Sequence, residues 1–157
     1  MRIGLPAVQV AARAGIAAGV SIAIARAIGT PHPIYAAIAA VIATDLDAAT
    51  TRRLSLQRTG GTVLGALIGA ALSVFAPAAP GIALGVFAAM LACHASRMGE
   101  AAKLGGFVCA IVLLEHTGDP WRYGVLRLAE TLIGLAVAVA VSLVPKVLRA
   151  GRPSPPA

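Results

Sequence analysis

Apolar residues in this chain fall into six long blocks, separated by short segments rich in Pro, Gly and Asp. Most blocks have the roughly 17–25 residues that an α-helix needs to cross the ~30 Å core of a bilayer. The second and fifth blocks are shorter, so a tilted, broken or incomplete span remains open for each. The predicted spans are approximately residues 7–28, 34–50, 60–76, 82–98, 103–115 and 126–147.

Composition supports the same fold class. Hydrophobic residues make up 59% of the 157-residue chain and charged residues 12%, whereas a soluble domain carries about 25% charged residues. The sequence therefore predicts an all-α integral membrane protein in contact with the lipid bilayer, with a six-span domain over residues 1–149. The Pro-rich tail, residues 150–157, is expected to be a disordered cytoplasmic segment.

The formal net charge of +7 also suggests nucleic-acid binding, but the positions of the charges predict a membrane topology instead. With a cytoplasmic amino terminus, nine basic residues fall at cytoplasmic helix ends and three at the other side, which is the positive-inside pattern. Both termini are therefore expected in the cytoplasm, with no nucleic-acid partner. A cleaved signal peptide is not expected, because the first block is too long and contains Arg13 and Arg26.

The third block carries glycines at every fourth residue, Gly61, Gly65 and Gly69. In lipid, helices associate through close backbone contact at small residues, so this face predicts a helix-packing seam. A smooth seam of this kind also permits helices to slide past each other, and that alternative remains open.

A shift of 69 residues places "RTGGTVLGALIGAALS" over "RLAETLIGLAVAVAVS" and aligns Arg58 with Arg127, Thr62 with Thr131 and Gly65 with Gly134. In the predicted topology these two spans run in opposite directions. Spans one to three and four to six would then be inverted repeats, which are common in secondary transporters and also occur in some channels.

The segment "YAAIAAVIATDLDAATTRRLSLQRTGGTVLGALIGAALS" resembles the signature region of the fusaric acid resistance protein-like (FUSC) family, which includes the aromatic acid exporters. The family motif Arg-x-x-Gly-Thr-x-x-Gly corresponds here to Arg58, Gly61, Thr62 and Gly65. Tyr35 stands where the family commonly has Trp. The resemblance covers about residues 10 to 147, including a similar closing span.

The resemblance implies an exporter of small aromatic or related organic acids in the bacterial inner membrane, driven by the proton gradient. Larger members have two six-span halves or a sizeable cytoplasmic domain, so this chain is expected to assemble as a homo-oligomer. Two alternatives remain open: a non-transporting membrane scaffold or accessory protein, and a passive anion channel.

Three arginines are candidates for binding a small organic anion: Arg13, Arg26 and Arg58. A charge within a span is costly and therefore often functional, and the planar guanidinium fits a carboxylate bidentately. Snorkelling to the interface is the alternative for Arg13 and Arg26. Arg58 is expected at the amino-terminal start of the third helix, neutralised there by Asp45 or Asp47.

Candidates for proton coupling are Glu115, His116, Glu130 and His94, because carboxylates and imidazoles can pass protons near neutral pH. Solvated interface residues are the alternative for Glu115 and His116. Glu130 lies one turn after Arg127, a spacing that predicts an ion pair on one helix face. His94 is expected to be buried and hydrogen-bonded.

No enzyme, metal site or cofactor is expected. The sequence lacks a Cys/His set with metal-ligand spacing and a glycine-rich phosphate loop. Cys93 and Cys109 are predicted to be small buried side chains, and Trp121 and Tyr123 to belong to an interfacial aromatic belt.

Overall fold

The computed structural model describes residues 4–73, 79–115 and 118–144. The regular structure of these residues is entirely helical, which confirms the all-α part of the predicted fold class. A 3₁₀ turn, Gly99–Ala101, precedes the fifth helix. The α-helices are α1 (Leu5–Ile28), α2 (Ile34–Ala43), α3 (Ala48–Leu72), α4 (Ala79–Ala95), α5 (Ala102–Glu115) and α6 (Pro120–Leu143).

The second predicted block is divided between two helices. α2 ends at Ala43, and Thr44 adopts an extended backbone. The Asp47 carboxylate accepts a hydrogen bond from the Thr50 backbone N–H at 2.8 Å and thereby caps the start of α3. A short polar turn thus ends one helix and starts the next, since Asp is a favoured N-cap residue. α3 consequently begins 12 residues before the predicted residue 60.

Two helices of the described chain, α1 and α6, are long and apolar enough to cross a bilayer, and α2 and α4 are shorter apolar helices. The exposed surface carries large apolar side chains, with Leu56 exposed to 74% and Leu143 to 68%. The buried positions are instead dominated by alanine. Large apolar groups outside and small ones inside are typical of helices that pack in lipid.

α3 and α6 pack against each other and form the middle of the bundle. α5 lies on α3 and α2 lies on α6, while α1 contacts α2 and α6, and α4 contacts α5 and α3. The set of pairings is symmetric: exchanging α1 with α4, α2 with α5 and α3 with α6 gives the same pairings.

α1 and α4 end in the same way. The N–H groups of Gly29 and Thr30 bond to the carbonyls of Arg26 and Ala25, and Gly29 has a left-handed φ of 81°. Arg97 and Met98 repeat this double hydrogen bond after α4, with Arg97 at φ 59°. Both helices are therefore closed by a Schellman-type cap.

The connections define two ends of the bundle. The start of α2 and the end of α5 lie together, because Tyr35 bonds to Glu115. We call this the tyrosine end. The α2–α3 and α4–α5 connections lie at the other end of the bundle, where Gln57 of α3 bonds to Glu100. We call this the opposite end.

Candidate functional site

Two arginines lie inside the bundle, Arg58 on α3 and Arg127 on α6, with 4% and 2% of their surfaces exposed. Arg58 lies ten residues beyond Ala48, the first residue of α3. The expectation that Arg58 begins a helix, neutralised there by Asp45 or Asp47, is therefore wrong. α3 starts earlier because the Asp47 cap allows the polar segment that follows to join the helix.

Arg58 lines a cavity of about 340 Å³ at the opposite end. Apolar walls come from the end of α2, from α3 and from α5, and polar groups lie beside the arginine. The apolar lining residues are Ile42, Leu54, Ala101, Leu104 and Phe107; the polar ones are Gln57, Arg58, Glu100 and Lys103. Glu100 accepts a hydrogen bond from Gln57, so a carboxylate of this cavity is engaged with an amide rather than with Arg58.

Arg127 is covered by an aromatic ring. Its Cζ lies 3.0 Å from the centroid of the Tyr35 ring, a cation–π arrangement. The predicted ion pair with Glu130 is not formed: Oε1 of Glu130 accepts a hydrogen bond from the backbone N–H of His32 at 2.7 Å. The α1–α2 connection lies against α6, and its His32 backbone N–H, not Arg127, is the hydrogen-bond partner of the Glu130 carboxylate.

Hydroxyl and carboxylate groups close the tyrosine end. The Tyr123 hydroxyl donates to Oε2 of Glu115 at 2.9 Å, and the Tyr35 hydroxyl lies 3.4 Å from the same oxygen. The two hydroxyls are 3.3 Å apart. The His32 ring lies beside both tyrosines, with ring centroids 5.8 Å and 5.7 Å apart. We call Tyr35, Tyr123, His32 and Glu115 the tyrosine cover.

The interior carries positive charge that the described residues do not fully satisfy. Nε of Arg58 and both Nε and Nη1 of Arg127 are buried without a hydrogen-bond partner in this part of the chain. The two guanidinium groups are close enough to act electrostatically on each other. Glu130 and Glu115 act on Arg127 electrostatically, and Oε2 of Glu130 is likewise buried without a hydrogen-bond partner among the described residues. Ionisable residues buried in a membrane protein are costly and mark substrate or ion paths, so two arginines with unpartnered nitrogens favour a site that binds an anion.

The other two candidate arginines lie away from this interior. Arg13 is half-buried and donates to the backbone carbonyls of Val144 at 2.6 Å and Leu46 at 3.4 Å. It therefore joins the start of α1 to the end of α6 and the α2–α3 connection. Arg26 is exposed in the last turn of α1.

The proton-coupling candidates are dispersed. Glu130 is fully buried and Glu115 belongs to the tyrosine cover, so these two lie at the same end. His94 is exposed in the last turn of α4, and the expectation that it is buried is wrong because the adjacent Cys93, fully buried, occupies the packed face of that turn. His116 lies outside the described residues.

The candidate packing glycines all lie at helix contacts. A Cβ at Gly61 would lie 2.9 Å from the Ala101 carbonyl oxygen, and one at Gly69 would lie 2.9 Å from the Val112 Cβ. A Cβ at Gly65 would collide with the Gly105 carbonyl oxygen, and one at Gly134 with that of Ala36. α3 therefore meets α5, and α6 meets α2, nearly backbone to backbone.

Among the residues of the tyrosine cover, the sequence pattern predicts a functional role for Glu115 alone. It gives no signal for His32, predicts an interfacial belt position for Tyr123, and predicts an ion pair for the neighbouring Arg127. The 69-residue shift contained a usable signal for Arg127, because it aligns that residue with the substrate candidate Arg58.

Comparison with known proteins supports a membrane role for this helical arrangement. A search of curated proteins and a search of solved structures each gave no match. The family model for fusaric acid resistance protein-like sequences matches residues 19–141, a range that includes Arg58, Arg127 and the whole tyrosine cover. The chain is thus a membrane protein that belongs to the fusaric acid resistance protein-like family.

Proposed function

We propose that this protein is an inner-membrane transporter that exports small aromatic or related organic acids. One observation carries the proposal: Arg58 is buried, lines a cavity with apolar walls, and has no hydrogen-bond partner at Nε among the described residues. Membership of the family supports transport as the general role.

The chemistry of the cavity suits an amphipathic carboxylate. Arg58 and Lys103 contribute two positive charges to the lining, against one negative charge from Glu100. The guanidinium fork can hold both oxygens of a carboxylate, while Leu54, Leu104 and Phe107 provide an apolar surface for the body of the ligand. A volume of about 340 Å³ lies within the range of small-molecule sites.

In this proposal the six helices cross the membrane as two inverted three-helix repeats, with the opposite end and both termini in the cytoplasm. The exchange symmetry of the helix pairings supports the repeats. Exposed Arg52, Arg53, Arg97 and Lys103 at the opposite end support the orientation, because basic residues collect on the cytoplasmic side. The Arg58 cavity then opens toward the cytoplasm, where an exported acid is captured.

Energy for export would come from the proton gradient, with Glu130 and Glu115 as the carboxylates placed near the path. Assembly as a homo-oligomer is also part of the proposal. The oligomeric state can be measured directly, by mass photometry of the purified protein in detergent.

The proposal is tested with the full chain in proteoliposomes, by measuring flux of radiolabelled benzoate with and without a pH gradient. We expect Arg58→Gln to reduce flux by about tenfold or more, because a buried carboxylate loses its charged partner. Arg58→Lys should also reduce flux, since an ammonium group cannot bind in a bidentate manner. Arg52→Gln and Arg53→Gln are the matched controls: they remove exposed arginines from the same helix and should leave flux within about twofold.

Other outcomes separate the competing functions. Flux that follows voltage and ignores the pH gradient would identify a passive anion channel. Absence of flux for a panel of aromatic acids in a folded preparation would contradict transport and favour the scaffold.

A further inference from the structure

We propose that Arg127 is a second anion-binding residue of the transport path and that the tyrosine cover is the gate that closes over it. The inference rests on the proposed function and extends it to the other end of the bundle. In the present conformation Arg58 lines a cavity, whereas Arg127 lies under the Tyr35 ring.

Arg58 and Arg127 occupy equivalent places in three dimensions as well as in sequence. Gly65 approaches the Gly105 carbonyl oxygen, and Gly134 approaches that of Ala36. A shift of 69 residues relates the two contacts: Gly65 corresponds to Gly134, and Gly105 corresponds to Ala36. The next contacts obey the same shift. A Cβ at Gly65 would lie 3.0 Å from the Val108 Cβ, and one at Gly134 would lie 2.9 Å from that of Ala39.

The surface of the bundle follows the same rule. Two apolar grooves lie between α3 and α6, and each of the seven residues that line one groove is 69 positions from a residue lining the other. The two halves thus share one architecture, and a function of Arg58 on α3 has a structural counterpart at Arg127 on α6.

Equivalent positions line a cavity in one half of the bundle and form a hydrogen-bonded cluster in the other. Leu54 and Leu104 line the open cavity beside Arg58. The same shift leads from Leu54 to Tyr123 and from Leu104 to Tyr35, the two tyrosines whose hydroxyls meet on Glu115. Positions that form cavity walls at the opposite end therefore form a hydrogen-bonded cover at the tyrosine end.

The covered arginine, Arg127, lacks hydrogen-bond partners in the described part of the chain at two of its nitrogens. Arg127 is 2% exposed, and its Nε and Nη1 have no hydrogen-bond partner among the described residues. Glu130 and Glu115 act on its charge electrostatically, and the Tyr35 ring adds a cation–π contact, but neither provides a hydrogen bond to these two nitrogens. A carboxylate would form charge-assisted hydrogen bonds with those nitrogens, which are stronger than contact with a ring face. A carboxylate arriving from Arg58 can therefore displace Tyr35 and loosen the cover.

The experiment measures how readily each arginine reacts with p-hydroxyphenylglyoxal, an arginine reagent, in the full chain in detergent. Peptide mass spectrometry quantifies the modification at Arg58 and Arg127 separately. In the unmodified sequence we expect Arg58 to react faster than Arg127, because Arg58 lines the cavity and Arg127 lies under the Tyr35 ring. Tyr35→Leu combined with Tyr123→Leu introduces leucine, the residue that stands at the equivalent positions 104 and 54 of the other half. This double variant should raise the rate at Arg127 about tenfold and leave Arg58 within about twofold, because the hydrogen bonds of the cover are lost.

A matched control uses the equivalent positions of the other half. Leu54→Ala combined with Leu104→Ala alters the open cavity and should leave the rate at Arg127 unchanged. If the double leucine variant does not fold, Tyr35→Phe combined with Tyr123→Phe removes the hydroxyls alone and should raise the Arg127 rate several-fold. An unchanged Arg127 rate in the folded variants would overturn the gate, as would an equal rise at both arginines, which indicates general loosening.

The reactivity readout does not depend on transport. If the tyrosine substitutions selectively raise the rate of Arg127 modification but the protein transports no benzoate, the proposed substrate is contradicted and the gate is not. If benzoate flux is normal but the rate of Arg127 modification is the same with and without the two tyrosines, the gate is contradicted and the proposed transport function is not.

Discussion

The guanidinium carbon of Arg127 lies 3.0 Å from the centre of the Tyr35 ring, and this contact joins α6 to the start of α2. Tyr35 is 9% exposed and Arg127 2%, so the pair is shielded from solvent. A desolvated cation–π contact is worth about 2 kcal/mol or more. The same tyrosine reaches Glu115 of α5 through its hydroxyl, and one side chain thereby connects three helices.

Substitutions at Tyr35 should separate the ring from the hydroxyl. We expect Tyr35→Leu to lower the free energy of unfolding by about 2 kcal/mol, because the cation–π contact is lost and a buried charge remains. Tyr35→Phe keeps the ring and should cost about 1 kcal/mol, the value of one hydrogen bond. Thermal unfolding of the purified protein in detergent measures both. Equal losses would show that the ring contributes nothing beyond its hydroxyl.

Gly65→Ala and Gly134→Ala should both destabilise the protein. The added Cβ would collide with a backbone carbonyl oxygen on the facing helix, of Gly105 or of Ala36, and overpacking of this kind costs about 1–3 kcal/mol. The controls are Gly15→Ala and Gly19→Ala, where a Cβ would meet nothing within 4 Å and the higher helix propensity of Ala is favourable. Unfolding temperatures that fall by the same amount at all four positions would contradict the close contacts.

Arg97→Gly should stabilise the protein by about 1 kcal/mol. Arg97 adopts φ 59° in the cap of α4, a left-handed conformation that is strained for a residue with a Cβ and free of strain for glycine. The equivalent cap of α1 has Gly29 at φ 81°. Arg52→Gly, inside α3 and also exposed, should have the opposite sign, since glycine is unfavourable within a helix. A lower unfolding temperature for Arg97→Gly would contradict the cap geometry.

Arg13 should behave as a structural residue in spite of its position within the first apolar block. Its guanidinium donates to the carbonyls of Val144 and Leu46, so Arg13→Gln is expected to cost about 1–3 kcal/mol through two lost charged hydrogen bonds. Benzoate flux per folded molecule should stay within about twofold. Arg26→Gln removes an exposed arginine of the same helix and should change neither quantity. Selective loss of benzoate flux in a fully stable Arg13→Gln protein would instead assign Arg13 to the transport path.

Some features of this protein follow from local patterns and were predictable. Six helical blocks, their apolar composition and the family motif at Arg58 are written into short windows of sequence, because helices depend on nearby residues and bilayer length is a fixed requirement. Cys93 and Cys109 are free and buried as predicted. The exact ends of α2 and α3 were not predictable, because the Asp47 cap competes there with an uninterrupted helical pattern.

Relations between distant residues were decided by tertiary structure. In the sequence Glu130 lies within one turn of Arg127. Its carboxylate nevertheless accepts a hydrogen bond from the His32 backbone, because the α1–α2 connection packs on α6. Likewise, Tyr35 and Arg127 are 92 positions apart in the chain, and nothing local pairs them. Periodicity specifies which face of a helix is apolar, whereas the partner of a buried charge depends on which helices the close glycine contacts bring together.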